Sequence, residues 1–230
     1  MILPLRAGGR EGRGSVRAGA KRVQGRRNTP KRGTGTMGNP EGEARPGTRV
    51  PGLVVFDLDA TLWVPEMYEL WGGAPWRVQG LGRALSSKGE EVRLMGASRE
   101  TLEELRTSAT FADTALAFAS RTTEVEAASA LVDVMQVAEG VPMSACGQRG
   151  TFAEIFPGRK TKHLANLRER TGIPYERMLF LDNEYSNVRD VGALGVASLH
   201  TPYGITREAW EEGLALFAQR AGKRAARASA

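Results

Sequence analysis

Three short apolar runs in this chain each end abruptly in a polar cluster. Leu53-Val54-Val55-Phe56 runs into Asp57-Leu58-Asp59-Ala60-Thr61, Ala115-Leu116-Ala117-Phe118-Ala119 into Ser120-Arg121-Thr122, and Met178-Leu179-Phe180-Leu181 into Asp182-Asn183-Glu184. Continuous apolar runs of this length suit strands buried on both faces of a parallel sheet. Val196-Ala197-Ser198-Leu199 reads as a weaker fourth strand. Between and after them apolar residues recur at helical spacing: Leu102 and Leu105 in the stretch 98–109; Val125, Ala128, Leu131, Val132 and Met135; His163, Leu164 and Leu167, closed by Gly172 and Pro174; Val188, Val191 and Leu194, capped by Ser186; and Trp210, Leu214, Phe217 and Ala221, capped by Thr206. This alternation predicts an α/β fold, a doubly wound Rossmann-like parallel sheet. Ligands of such sheets bind outside the carboxyl ends of the strands, so the three polar clusters are expected to meet in one crevice.

Charge divides the chain. Residues 1–49 hold 12 Lys or Arg against 3 Asp or Glu, a net of +9, whereas residues 50–230 carry a net of −3. The basic head is rich in Gly and Arg and lacks apolar periodicity, which predicts a disordered extension over 1–49. Organellar targeting, an arm for nucleic acid or an acidic partner, and a neutral extension all remain open for it. No run of about 18 apolar residues occurs, so no transmembrane helix is expected. The head has no apolar stretch suited to secretion, and a cytoplasmic location is expected unless the head targets an organelle. A single cysteine, Cys146, excludes an intrachain disulfide, and two histidines, His163 and His200, exclude a three-His zinc site. The domain itself is expected over 50–220, followed by a basic tail over 221–230.

The polar clusters specify a chemistry. Asp57, Asp59 and Asp182 repel one another at one point unless a cation neutralises them. Oxygen ligands without Cys or His suggest Mg²⁺. A Mg²⁺ site with Ser120, Arg121 and a lysine beside it is a phosphate site, the lysine being Lys160 or Lys162. For Asp57 and Asp59 to serve one site, the chain is expected to turn directly after the first strand.

Asp57-Leu58-Asp59-Ala60-Thr61-Leu62 resembles the first motif of the haloacid dehalogenase (HAD) superfamily. Ser120 fits its second motif, Lys160 its third, and Asp182 with Asn187 its fourth. Thr61-Leu62-Trp63, Ala119-Ser120-Arg121-Thr122, the run Glu154–Gly158 leading to Lys160, and the segment 171–196 resemble its magnesium-dependent phosphatase branch, with similarity over roughly 53–218. The resemblance implies Asp57 as nucleophile, forming an aspartyl-phosphate, and Asp59 as general acid and base. It implies Ser120, Arg121 and Lys160 as phosphate-binding residues. Mg²⁺ would be held by Asp57, the backbone carbonyl of Asp59, Asp182 and Asn187. Two positions depart from the pattern. Ala60 stands where relatives usually carry Tyr, and Asn183 replaces a second Asp after Asp182, lowering the local negative charge.

Only 38 residues separate Arg121 from Lys160 and 58 separate Thr61 from Ser120. That leaves room for a short flap and no large cap. An open, essentially capless site suits a phosphoprotein or a phosphorylated small molecule, and the resemblance points to protein phosphotyrosine or fructosamine-6-phosphate. The alternatives are a protein-serine phosphatase resembling polymerase-tail phosphatases, or a catalytically weak module whose basic head binds nucleic acid. Nucleic acid is expected only through 1–49, no membrane is expected as partner, and the chain is expected to be a monomer. Trp63, Trp71 and Trp76 cluster in the flap, either as a substrate wall or as satellite packing. Cys146 reads as a passive thiol, and His163 and His200 as structural.

Overall fold

The computed structural model describes residues 50–229. The disordered, basic extension expected over 1–49 lies outside the described residues. In chain order the elements are β1 (Leu53–Phe56), β2 (Trp63–Val64), β3 (Arg77–Val78), β4 (Arg83–Leu85), β5 (Glu91–Leu94), α1 (Ser98–Thr107), β6 (Ala115–Ser120), α2 (Val125–Val134), β7 (Gln136–Ala138), β8 (Val141–Pro142), β9 (Thr151–Ile155), α3 (Lys160–Thr171), β10 (Met178–Asp182), α4 (Tyr185–Gly192), β11 (Ala197–His200) and α5 (Arg207–Ala228).

β1 is the centre of a five-stranded sheet ordered β11-β10-β1-β6-β9, and all four pairings are parallel. The three central strands, β10, β1 and β6, are apolar on both faces, and alternate residues feed two separate cores. Val54, Phe56, Leu116, Phe118, Leu179 and Leu181 pack with Leu102, Leu105, Leu131, Trp210 and Phe217 of α1, α2 and α5. Leu53, Val55, Ala115, Ala117, Ala119 and Phe180 pack with Leu164, Leu167 and Val191 of α3 and α4. The register aligns Phe56 with both Phe118 and Leu181, so the three polar clusters emerge at one level of the sheet.

The four strands expected from apolar runs are present. β9 went unread because an edge strand need not be apolar throughout: its Thr151, Phe152 and Ala153 are partly or fully exposed. Its buried Glu154 is paired with Arg170 and accepts from Asn166 Nδ2 at 2.8 Å. The expected flap is a four-stranded antiparallel sheet ordered β2-β5-β4-β3. A small hairpin, β7-β8, was also unread. The flap tryptophans do not act alike. Trp63 is fully buried, Trp76 pins the flap to α2 through Nε1 to the Ala127 carbonyl at 2.9 Å, and Trp71 is 92% exposed.

Helix ends follow local chemistry. Thr206 caps α5 by accepting from the Ala209 amide at 3.1 Å, as expected. Ser186 does not cap α4. That helix begins at Tyr185 with Glu184 in the cap position, two residues earlier, and the Asp182 carboxylate takes the Glu184 amide at 2.7 Å, holding the turn from strand to helix. The basic residues after 220 continue α5 as helix to Ala228. Among the described residues no helix is long and apolar enough to cross a membrane.

The loop after β1 is tied down at its far side. Met95 N donates to Leu62 O at 2.9 Å, Ile205 N to Thr61 O at 3.0 Å, and Ala97 N to Ile205 O at 2.7 Å. Gly96 makes this junction possible. Its φ is +54°, and a Cβ there would lie 2.3 Å from the Ile205 carbonyl oxygen. Gly96→Ala is expected to destabilise the protein by about 2–3 kcal/mol through overpacking and a left-handed backbone, read from the midpoint of urea denaturation.

Candidate active site

Asp57 is the first residue past β1, and its amide is still held to the Leu181 carbonyl at 3.0 Å. Its Oδ1 is ion-paired with Lys160 Nζ, and its Oδ2 accepts from Thr61 Oγ1 at 3.0 Å. The chain turns at once, as required. Leu58 O accepts from the amides of Thr61, Leu62 and Trp63, and Ala60 sits at φ +54°, the one described non-glycine residue with positive φ. The turn points the Asp59 side chain elsewhere: its Oδ1 accepts from Trp63 Nε1 at 2.8 Å and from the Met67 amide at 3.0 Å. No hydrogen bond among the described residues reaches Asp59 Oδ2.

Lys160, the first residue of α3, is 2% exposed, and its ammonium does three things. It pairs with Asp57, donates to the Ala119 carbonyl at the end of β6, and lies 3.3 Å from Asp182 Oδ2. Lys162, the other candidate, is exposed and stands over the Phe156 ring at 5.7 Å. Asp182, fully buried at the end of β10, receives Asn187 Nδ2 at 3.1 Å on both oxygens.

The remaining expected residues are close but differently engaged. Ser120 is buried and accepts from the Thr122 amide at 3.1 Å, so it shapes the turn after β6. Arg121 reaches across to Glu184 at 3.4 Å and Asn187 Oδ1 at 3.3 Å, bridging two strand ends. Asn187 turns its amide nitrogen, not its oxygen, to Asp182. In this arrangement it orients that carboxylate rather than offering a ligand. Asn183 is tied to Thr61, its amide donating to Thr61 Oγ1 at 3.1 Å. His200 Nε2 lies 2.9 Å from the Asn183 carbonyl. Cys146 is buried and burial pushes its thiol up to about 11, which fits a passive thiol.

Burial raises the proton affinity of both carboxyls. Burial, opposed by Lys160 and reinforced by the neighbouring Asp182 charge, pushes Asp57 up to about 7. Burial also raises Asp59, against the hydrogen bonds from Trp63 and Met67. With both ionised, Asp57 and Asp182 carry one negative charge more than Lys160 compensates, in a place where water does not screen it. A cation fits that imbalance. The available donors are the carboxylates of Asp57 and Asp182 and the backbone carbonyl of Asp59, which accepts no hydrogen bond among the described residues. No group of three or more His, Cys, Asp or Glu suited to a metal gathers among the described residues. Two carboxylates and a carbonyl match Mg²⁺, which keeps waters and binds phosphate oxygens to complete its shell.

Residues 49–220 match the acid phosphatase family. The chain is 33% identical over 171 residues to human magnesium-dependent phosphatase 1, covering 74% of this chain and 89% of that protein. It is 31% identical over 151 residues to an HAD-like hydrolase superfamily protein of Schizosaccharomyces pombe, covering 65% of this chain and 84% of that one. Among solved structures it is similar to the phosphatase-containing N-terminal part of BF1531 from Bacteroides fragilis, complexed with Mg, at a TM-score of 0.49 and 16% identity, covering 74% of this chain and 41% of that chain. A haloacid dehalogenase-like hydrolase from Xanthomonas campestris matches at a TM-score of 0.49 and 17% identity, covering 74% and 97%.

The raised Asp57 carboxyl makes metal-free stability depend on pH with a definite sign. Between its ordinary value of 3.8 and about 7 the folded protein holds a proton that the unfolded chain has released. Stability from this group is therefore full below pH 3.8 and declines as pH rises to about 7. Melting in EDTA is expected to show Asp57→Asn more stable than the wild type at pH 7–8, with the gap closing toward pH 4.

Proposed function

Because the chain belongs to the acid phosphatase family of the HAD superfamily, we propose that it is a Mg²⁺-dependent phosphatase that hydrolyses phosphate monoesters through an aspartyl-phosphate on Asp57. The observation that carries this reading is the division of labour between two carboxyls two residues apart. Asp57 faces Lys160 and Asp182, whereas Asp59 is held away from them with Oδ2 unpaired and its proton affinity raised.

In the first step an Asp57 carboxylate oxygen attacks phosphorus and the bond to the leaving oxygen breaks. Asp59, in its acid form, gives that oxygen a proton. In the second step Asp59, now a carboxylate, takes a proton from water as the water oxygen attacks the phosphorus. Asp57 and inorganic phosphate are released. Lys160 neutralises charge on the nucleophile and on the phosphoryl oxygens, already in place and dehydrated before substrate arrives. Ser120 supplies a hydroxyl at the floor of the phosphate pocket. Arg121, half-exposed beside it, exchanges its long contacts to Glu184 and Asn187 for phosphate oxygens. Asp57, Asp182 and the Asp59 carbonyl would hold Mg²⁺, and Asn187 would orient Asp182. When bound, the ion supplies neutralisation of the clustered carboxylates and polarisation of the phosphoryl group.

The site has a flap and no large cap, and the exposed Tyr68 and Tyr185 follow Asp59 and Asp182 closely in sequence. An open mouth of this kind suits protein phosphotyrosine or fructosamine-6-phosphate, the substrate classes we propose, with the protein acting as a cytoplasmic monomer.

Hydrolysis of p-nitrophenyl phosphate is expected to rise with Mg²⁺ and vanish in chelator. Asp57→Asn is expected to lose at least about a thousandfold in kcat with its melting transition intact, and Asp59→Asn about 10²–10⁴-fold. Full activity in Asp57→Asn would exclude the covalent route. Phosphotyrosine peptides, phosphoserine peptides and fructosamine-6-phosphate assayed side by side separate the substrate classes.

A further inference from the structure

His163 lies on α3 one turn after Lys160 and is completely buried. Its surroundings are unusual for a packing residue. Nε2 lies 3.0 Å from the Ser120 carbonyl and 3.0 Å from the Phe156 carbonyl, and Nδ1 lies 2.9 Å from the Arg159 carbonyl. The ring stacks flat on Phe156, with centroids 4.0 Å apart and planes 6° apart. Three main-chain carbonyls from three places therefore converge on one imidazole: the end of β6, the loop after β9, and the residue before α3.

Lys160 adds to the pattern, because its ammonium takes the Ala119 carbonyl. Successive turns of α3 thus bind the last two carbonyls of β6, Lys160 on Ala119 and His163 on Ser120. Beyond β6 the sheet offers that strand one more hydrogen bond, from the Phe156 amide to the Ser120 carbonyl at 3.2 Å. The Ser120 hydroxyl itself is committed to the Thr122 amide. The imidazole therefore adds a third tie at the Ser120 turn, beside the Lys160 contact to Ala119 and the Phe156 amide. The first turn of α3 has no side-chain cap, so Lys160 and His163 are the side chains through which that helix end holds β6.

We propose that His163 is a positioning residue for catalysis: with its proton on Nε2, shared between the carbonyls of Ser120 and Phe156, it holds the Ser120 turn against the loop leading into α3 and so keeps Ser120 and Lys160 placed for one phosphate group. The proposal rests on Ser120 and Lys160 being the phosphate-binding residues assigned above. Small misplacements of such groups weaken binding and slow chemistry even when the fold is intact.

The test compares His163→Phe with His163→Gln. Phenylalanine keeps a flat ring against Phe156 but brings no donor. Glutamine loses the stack but supplies an amide N–H₂ within reach of the carbonyls. His163→Phe is expected to raise KM for p-nitrophenyl phosphate, and the inhibition constant of inorganic phosphate, by about tenfold, while His163→Gln stays within about threefold of wild type. Hydrogen–deuterium exchange of the segment 118–123 without substrate is expected to speed up in the Phe variant and not in the Gln variant. A Phe variant within about twofold of wild type in both constants, with unchanged exchange, overturns the proposal. So does a Gln variant that loses as much as the Phe variant at an unchanged melting temperature, since ring packing then carries the effect. If His163→Phe does not fold, His163→Leu, which also brings no donor, takes its place under the same limits. Absence of turnover in the wild-type protein counts against the proposed function instead, and the exchange comparison then decides the role of His163.

Discussion

The buried ammonium of Lys160 is the constraint around which the rest of this protein is arranged. A charge in the interior is tolerated only when paired and hydrogen-bonded, and Lys160 has Asp57, Asp182 and the Ala119 carbonyl around it. Each partner belongs to a different strand end. The three must therefore stay in register, because displacement of any one leaves a bare charge in a place water does not reach. With both carboxylates ionised the same arrangement leaves an excess of one negative charge, which favours a cation, and a cation there would in turn admit a phosphate group.

The packing beneath the site explains how a lysine on a helix reaches the floor of a sheet. On the face that α3 covers, β6 presents only Ala115, Ala117 and Ala119, whereas its other face carries Leu116 and Phe118. Small residues let the helix lie close to the strand. The Lys160 and His163 side chains can then touch strand carbonyls directly. Bulkier residues at 117 or 119 would push α3 outward and take both contacts away. Core composition and catalytic geometry are thus one problem in this part of the molecule.

The two aspartates after β1 show how a single turn separates two chemistries. Positive φ at Ala60 and the three amides gathered on the Leu58 carbonyl swing Asp59 out of the Lys160 pocket. There Trp63 and Met67 hold one of its oxygens. A carboxyl beside an ammonium and a carboxyl in a half-buried niche face different partners, and a phosphatase needs that separation to run a nucleophile and an acid side by side. The departure at Ala60 leaves this turn in place, since backbone conformation and not side-chain bulk forms it.

Much of this was legible without a structure. The three runs 53–56, 115–119 and 178–181 are apolar at every position, so they read as central strands, and the polar residues that end them read as the site. Asp57, Asp59, Ser120, Lys160 and Asp182 are found where the strand ends bring them. What local pattern could not convey was anything that depends on a partner distant in the chain. β9 is an edge strand of mixed polarity, and the flap strands are two to four residues long, too short for a period to register. His163 read as an ordinary core histidine, because nothing within its own helix points to the carbonyls of Ser120 and Phe156. Arg121 matched a phosphate position, yet its observed partners, Glu184 and Asn187, lie more than sixty residues away. Sequence by itself determined the strands and the chemical groups at their ends, since burial on both faces leaves a continuous apolar signal. Tertiary structure alone decided which carboxyl faces the lysine, which is held apart, and which carbonyls the histidine binds. Those outcomes depend on distances between strands that no local periodicity encodes.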